Sequence, residues 1–245
     1  MKLSKVQCPQ TAKEQIRMRH VPYQNAVGAL NHVTVMTRPN IAFAVHKVSQ
    51  FSLNPGDLHW NTVKRIIRYL KGTQDYSLTL GGPLDTSLPL FTAYCDANFA
   101  NSTDHSRSVS GCTMMIGYGC VSWSAKKQTA TAGSTGEAEY YAAFQAGKQV
   151  VWLRELLSKI GFRQLIPTPL NIDNNATMRM IETPDEVSDC VKHVHISYHW
   201  IREAAQCQKL TPVCVDTKVN IADIMTKALP GPRHSMMLEM LGMQK

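Results

Sequence analysis

Apolar residues recur at helical spacing through the first third of the chain and at strand spacing only afterwards. Thr11 to His20 reads as a first helix. A second runs from Pro22 through Asn31 and beyond, interrupted at Arg38-Pro39 because the residue before a proline avoids the helical region. Ile41, Ala44, Val45, Val48 and Phe51 mark a third helix, stopped by Asn54-Pro55-Gly56. From His59 to Tyr69 and just beyond, Trp60, Val63, Ile66, Ile67 and Leu70 share one face, and Lys64, Arg65, Arg68 and Lys71 occupy the remainder. Gly72 stops this basic amphipathic helix.

Gly81-Gly82-Pro83 opens a turn-rich linker to about Pro89, after which the period changes. Leu90–Cys95, Ser108–Tyr118 and Cys120–Ser124 are strand candidates joined by short loops, as in an antiparallel meander. Ser134 to Ile160 is a long helix, with Ser134 or Thr135 as its N-cap and Gly161 at its end. Leu170–Ile172 is a strand ending in Asp173-Asn174-Asn175, a helix follows to about Glu182, and Val191–Gln206 is another. Leu210–Val215 is a strand, Asn220–Leu229 a helix stopped by Pro230, and His234–Leu241 a last short helix. The order β-β-β-α-β-α-α-β-α describes an α/β module in residues 89–245, a mixed sheet flanked by helices. It follows a helical basic segment in residues 1–85.

A content of 44% hydrophobic and 18% charged residues allows a packed core and excludes wholesale disorder. No apolar run approaches the roughly 18 residues needed to cross a bilayer, and MKLSKVQCPQ lacks the apolar stretch of a signal peptide. The expectation is an intracellular protein, cytoplasmic or nuclear, with no membrane partner. The 7 cysteines are scattered, odd in number and without a C-x-x-C, which argues against a disulfide framework or a cysteine zinc site. They read as small core residues in a reducing compartment. Charge separates the two parts: residues 1–85 hold 11 Lys and Arg against 4 Asp and Glu, and residues 86–245 hold 15 against 14. A basic segment beside a nearly neutral one fits a grip on a polyanion, although a solubilising surface carries the same charge.

Four acids stand oddly for surface residues. Asp96 follows an apolar strand directly, and Glu139 lies in the apolar run Ala138-Glu139-Tyr140-Tyr141-Ala142-Ala143. Asp173 closes a strand, and Asp223 sits between Ile221-Ala222 and Ile224-Met225. Singly, each is satisfied by a turn, a cap or a favourable place in the first turn of a helix. Together, from different elements, they match what two-metal phosphodiester hydrolysis requires: carboxylates converging on a pair of hard cations roughly 3.5–4 Å apart.

Six stretches add to this: YCDAN (Tyr94–Asn98), SxSG from Ser108 followed by VSWSAKKQ (Val121–Gln128), STGEAEYYAA (Ser134–Ala143), IDNNAT (Ile172–Thr177), KHVHISYHWIRE (Lys192–Glu203) and IADIMTK (Ile221–Lys227). In this order they closely resemble the ribonuclease H of copia-type retrotransposon polyproteins. VPYQNAVGALNH (Val21–His32), TRPNIAFAV (Thr37–Val45) and HWNTVKRIIRYLKGT (His59–Thr73) resemble the stretch between polymerase core and ribonuclease H in the same polyproteins. The resemblance covers almost the whole chain. It implies the ribonuclease H fold, with three antiparallel strands and then two more, and a site for two Mg²⁺ ions for which Mn²⁺ substitutes. It also implies hydrolysis of the RNA strand of an RNA–DNA hybrid, leaving a 3′-hydroxyl and a 5′-phosphate. Carried over by motif, Asp96 is the central acid bridging both metals, Glu139 rather than Glu137 the helix acid, Asp173 the strand-end acid and Asp223 the last.

Two departures stand out. Many cellular ribonucleases H carry a catalytic histidine in a loop before the last acid; Asp216-Thr217-Lys218-Val219-Asn220 has none, as in the resembling family. Gly136 replaces the threonine of S-S-T-E-A-E-Y, at about 1 kcal/mol relative to alanine inside a helix and less in a first turn.

Other residues carry weaker expectations. Lys64, Arg65, Arg68 and Lys71, with Lys126 and Lys127, are candidates for phosphate contacts, or solvated charge. Asn98, Ser134 and Asn174 flank the acids and are candidates for RNA 2′-hydroxyl contacts, or simply caps and turn residues. His195 and His199 stand four apart on a helix, near His193, but lack a third ligand of matching pattern for zinc. Trp123 and Trp152 read as core residues. The paired aspartates of a polymerase are absent from this sequence, so a polymerase region missing from the chain is an expected partner. The competing class is a catalytically lapsed or domesticated nucleic-acid-binding or interaction module of the same fold.

Overall fold

In the computed structural model, which describes residues 3–82, 90–100, 104, 106–182 and 195–245, the first part of the chain forms four helices. Helix α1 (Ala12–Arg19) is capped by Thr11, whose side chain accepts the Glu14 amide while the Glu14 carboxylate accepts those of Gln10 and Thr11. Helix α2 (Tyr23–Met36) stops just short of Arg38-Pro39, and Pro39–Ile41 makes one 3-10 turn into α3 (Ala42–Ser49). Helix α4 (Asp57–Gly72) buries Val63 and Ile66 against Tyr23, Val27, Leu30, Val45 and Val48. Ile67, expected on the same face, is exposed. Successive residues on a helix diverge by about 100°, and Ile66 takes the inward place.

The linker residues 83–89 lie outside the described residues. Beyond them β2 (Phe91–Asn98), β3 (Val109–Ile116) and β4 (Gly119–Lys127) form the antiparallel meander. β5 (Thr168–Ile172) runs parallel to β2, and β6 (Leu210–Cys214) parallel to β5, giving the order β4-β3-β2-β5-β6. This is the ribonuclease H-like mixed sheet that the motifs implied. Asp96 lies inside β2 rather than beyond its end, because the strand keeps pairing with β3 as far as Asn98.

Alternation along β2 sends Phe91, Ala93 and Cys95 to one face, where α5 (Thr135–Lys159), α6 (Asn175–Glu182) and α7 (His195–Gln206) cover them. Residues 191–194, expected to begin α7, and Cys190 lie outside the described residues. On the other face Met115 and Cys120 pack with Ala42 of α3, with Ile224 and Met225 of α8 (Asp223–Thr226) and with Met237 and Leu238 of α9 (Gly231–Met240). Cys95, Cys112 and Cys120 are buried, whereas Cys207 and Cys214 are exposed and not core residues.

Two further expectations are corrected. The helix expected over Asn220–Leu229 is only α8, preceded by a 3-10 turn at Thr217–Val219. Asn220 pins the chain there, donating to the Cys95 carbonyl at 2.9 Å and accepting the Ala222 amide at 3.1 Å. Trp152 is 59% exposed on α5, whose core face is taken by Val150, Leu153 and Leu157. Two-residue strands β1 (Ser77–Leu78) and β7 (Met243–Gln244) pair antiparallel, a contact too short to leave a period in the sequence.

The helical segment packs directly on the sheet. Ala42 shares the apolar core of α8 and α9, Trp123 Nε1 donates to the Thr34 carbonyl at 3.0 Å, and the Tyr69 and His234 rings meet edge to face at 5.8 Å.

Candidate active site

Asp96 faces away from α5, toward α8, and is 1% exposed. Its neighbour across the ladder is Gly111 of the SxSG stretch. A Cβ on Gly111 would meet Thr226 Cγ2 at 2.6 Å, Met225 Cβ at 2.7 Å and the Ala222 carbonyl oxygen at 3.0 Å. Only glycine lets α8 approach this close, and that approach delivers Asp223 and Thr226 to Asp96. Asp173 follows directly on β5, the parallel neighbour of β2. Carboxylate oxygens of Asp96, Asp173 and Asp223 thereby lie within 4.8 Å of one another. Among the described residues this is the one such group of potential metal ligands.

Glu139, on the second turn of α5, stands beside the trio rather than in it. It is 5% exposed, and its Oε2 accepts the Ala97 amide at 2.9 Å. Burial, reinforced by the charges of Asp96 and Asp173, pushes its carboxyl up to about 9. Burial also pushes Asp96 up to about 6, against the pull of Lys227.

Three side chains that the sequence reading passed over complete the site. Thr226 Oγ1 donates to Asp96 Oδ2. The Lys227 ammonium lies 3.1 Å from Asp96 Oδ1 and 2.6 Å from Asp223 Oδ1. Arg233 pairs with Asp223 Oδ2 and donates to the Thr217 carbonyl at 2.6 Å. Burial pulls the Lys227 ammonium down, but Asp96 and Asp223 outweigh it and hold it above the ordinary lysine value. Lys227 was legible as the residue four places after Asp223 in IADIMTK, one helical turn on. Arg233 left no comparable signal, since it reaches the site from a different helix.

The expected nucleic-acid contacts are placed as follows. Asn98 donates to the Thr226 carbonyl at 3.0 Å, Ser134 caps α5 by accepting the Glu137 amide at 3.1 Å, and Asn174 accepts the Thr177 amide at 3.0 Å. Each thus has a structural task within the fold. Lys64, Arg65, Arg68 and Lys71 are all exposed on α4, as is Lys126 on β4. Lys127 is half-buried within electrostatic reach of Arg107, Lys5 and Lys47. Burial, then the charges of Lys47 and Lys127, push the nearby His46 down to about 4. His199 is exposed on α7; His193 and the side chain of His195 lie outside the described residues.

The donor set is all oxygen, drawn from three elements and largely buried. This is the chemistry a hard divalent cation takes, whereas a soft metal would call for thiolate or imidazole. Four carboxyl groups face one lysine and one arginine, so negative charge remains for a cation to neutralise.

No protein-family model matches the chain. Over 243 residues, 99% of its length, it is 38% identical to the retrovirus-related Pol polyprotein from transposon TNT 1-94 of Nicotiana tabacum, and it spans 18% of that relative. It is 42% identical over 136 residues to secreted RxLR effector protein 161 of Plasmopara viticola, a match covering 56% of this chain and 94% of that one. Among solved structures, LC11-RNase H1, isolated from compost by a metagenomic approach, aligns with a TM-score of 0.44 at 14% identity, covering 57% of this chain and 94% of that chain.

Proposed function

The chain belongs to the copia-type retrotransposon Pol polyproteins, spanning under a fifth of the polyprotein relatives it matches, and from that premise we propose that it is their ribonuclease H. Its substrate is the RNA strand of an RNA–DNA hybrid, and its reaction is hydrolysis of the phosphodiester. The observation that carries this reading is the meeting of Asp96, Asp173 and Asp223 from mid-strand, strand end and helix start, with oxygens within 4.8 Å.

Asp96, Asp173 and Asp223 would hold divalent cations, Mg²⁺ or Mn²⁺, with Glu139 completing the set. Such ions supply charge that activates water and offsets negative charge on the reacting phosphate. The chain's own part is positioning. Strand β2, hydrogen-bonded on both sides, fixes Asp96, and the Ala97 amide fixes one oxygen of Glu139. In the cation-free protein Glu139 holds a proton at neutral pH, at the oxygen that Ala97 leaves unbonded, and would give it up on taking part in holding a cation. Lys64, Arg65, Arg68 and Lys71 on α4, with Lys126 and Lys127 on β4, supply positive charge for the phosphates of the hybrid. Asn98, Ser134 and Asn174 would make 2′-hydroxyl contacts through the polar atoms their structural bonds leave over. The polymerase region of a longer polyprotein is the partner that would deliver the hybrid.

A second reading is a nucleic-acid-binding or interaction module that no longer cleaves. It is favoured by the engagement of both oxygens of Asp96 and of Asp223 by Thr226, Lys227 and Arg233, which satisfies these buried acids without a metal ion. A labelled RNA–DNA hybrid incubated with Mg²⁺ or Mn²⁺, beside Asp96→Asn, separates the two. Cleavage by the wild type alone supports the nuclease. Binding without cleavage supports the module, and equal cleavage by the variant points to another site or a contaminant.

A further inference from the structure

Among the described residues Lys227 is the one flexible cation inside the acid centre, and neither the motifs nor the expected site residues give it a task. We propose that Lys227 stands in for a divalent cation, holding Asp96 and Asp223 together in the cation-free protein and withdrawing toward solvent when a cation enters. This rests on the metal-centre reading above, and it names the side chain with which the cation competes.

The geometry supports it in four respects. The Lys227 ammonium joins two carboxylates 127 residues apart in sequence, at 3.1 Å from Asp96 Oδ1 and 2.6 Å from Asp223 Oδ1, so it occupies space between two of the three acids. Its side chain is 34% exposed while those of Asp96 and Asp223 are 1% exposed, so the lysine has a route out that the acids lack. A four-carbon stem with a compact, strongly hydrated head can follow that route. Arg233 is anchored differently, to the Thr217 carbonyl as well as to Asp223, and is the cation that stays.

Charge gives the direction. The Lys227 ammonium and the Arg233 guanidinium cannot balance Asp96, Asp173 and Asp223 together, and no donor among the described residues bonds the Asp173 carboxylate. A dication reaching all three gains what the lysine does not reach. Lys227 follows Asp223 by one helical turn, so after withdrawal it remains tethered beside the site and can return when the cation leaves.

The consequence runs opposite to that of a merely structural residue. Removing a structural support loosens the acids and weakens cation binding, whereas removing a competitor strengthens it. Calorimetric titration of the full chain with MnCl₂ and with MgCl₂, without nucleic acid, should give about tenfold tighter binding of the first cation to Lys227→Met, a partly exposed ion pair no longer having to be broken. Lys227→Arg, which keeps the charge, should stay near the wild type. Unchanged or weaker binding by Lys227→Met overturns the proposal and leaves the metal centre standing. Absence of binding by all three proteins overturns the metal centre itself, and this proposal with it. Should Lys227→Met fail to fold, the wild type alone decides. The nitrogen resonance of the Lys227 ammonium, identified by its loss in Lys227→Arg, should lose its hydrogen-bonded character as Mg²⁺ is added. A resonance unmoved at saturating cation overturns the proposal.

Discussion

Gly111 and Thr226 are in such close approach that a single added methyl group on the glycine would sit 2.6 Å from the threonine Cγ2. The meeting of Asp96 and Asp223 therefore depends on a residue with no side chain. Gly111→Ala should force α8 away from β3, at about 1–3 kcal/mol for overpacking. It should also weaken cation binding by separating Asp223 from Asp96. Urea denaturation and cation titration of the same variant check both; full stability with unchanged cation affinity would show that α8 has room to spare.

Without cations the carboxyls of Asp96 and Glu139 should make the protein less stable as pH rises from about 4 to about 9, Asp96 up to about 6 and Glu139 throughout. Asp96 and Glu139 have folded-state values raised to about 6 and about 9, above their ordinary 3.8 and 4.5. A carboxyl raised on folding contributes stability that is complete below its unfolded value and is lost as pH climbs through the folded one. Lys227, raised above the ordinary lysine range, titrates outside this window. Glu139→Gln should flatten the upper part of the profile and gain on the order of 2 kcal/mol near pH 9. Chemical denaturation at several pH values in a chelator reads this directly, and a wild-type profile that rises through the window contradicts it.

Gly136→Ala should stabilise the chain by about 0.5 kcal/mol, the first-turn share of the glycine helix penalty. The nearest atom to the missing Cβ is Met180 Cε at 3.7 Å, so an alanine fits without a clash. A thermal shift upward with unchanged cation affinity is the expected result; a downward shift would mean that the position needs glycine.

Residues 1–82 should unfold together with the sheet rather than ahead of it. Trp123→Phe removes the bond to the Thr34 carbonyl between β4 and α2, at about 1 kcal/mol. A fragment starting at residue 89 bares the face of Met115, Cys120 and Ile224 that Ala42 of α3 helps to cover, and it should bind a hydrophobic dye. Two separate calorimetric transitions in the full chain would instead make the helical segment an independent unit.

Much of the architecture is legible in the chain because its long elements carry strong periods. The α5 helix shows its N-cap at Ser134 and its glycine stop at Gly161, which adopts a φ of 95°. The meander shows in three apolar runs. What stays illegible depends on contacts between distant residues. The end of β2 is set by pairing with β3, so Asp96 reads as lying past a strand that in fact contains it. The short α8 is set by Asn220 reaching the Cys95 carbonyl, 125 residues away, which no local period records. The four acids stand out because charge in apolar company is unusual. Of their partners only Lys227, one helical turn after Asp223, leaves a local signal; Thr226 and Arg233 are ordinary residue types whose roles arise only from where the fold brings them.

The central claim is that Asp96, Asp173 and Asp223, with Glu139, form a cation centre where the hybrid is cut. Anomalous diffraction from Mn²⁺-soaked crystals of the full chain bound to a non-cleavable RNA–DNA hybrid tests it most directly. The account predicts manganese density bounded by these carboxylates, next to an RNA phosphate. Manganese only elsewhere, or a hybrid seated on a different face of the protein, would contradict it.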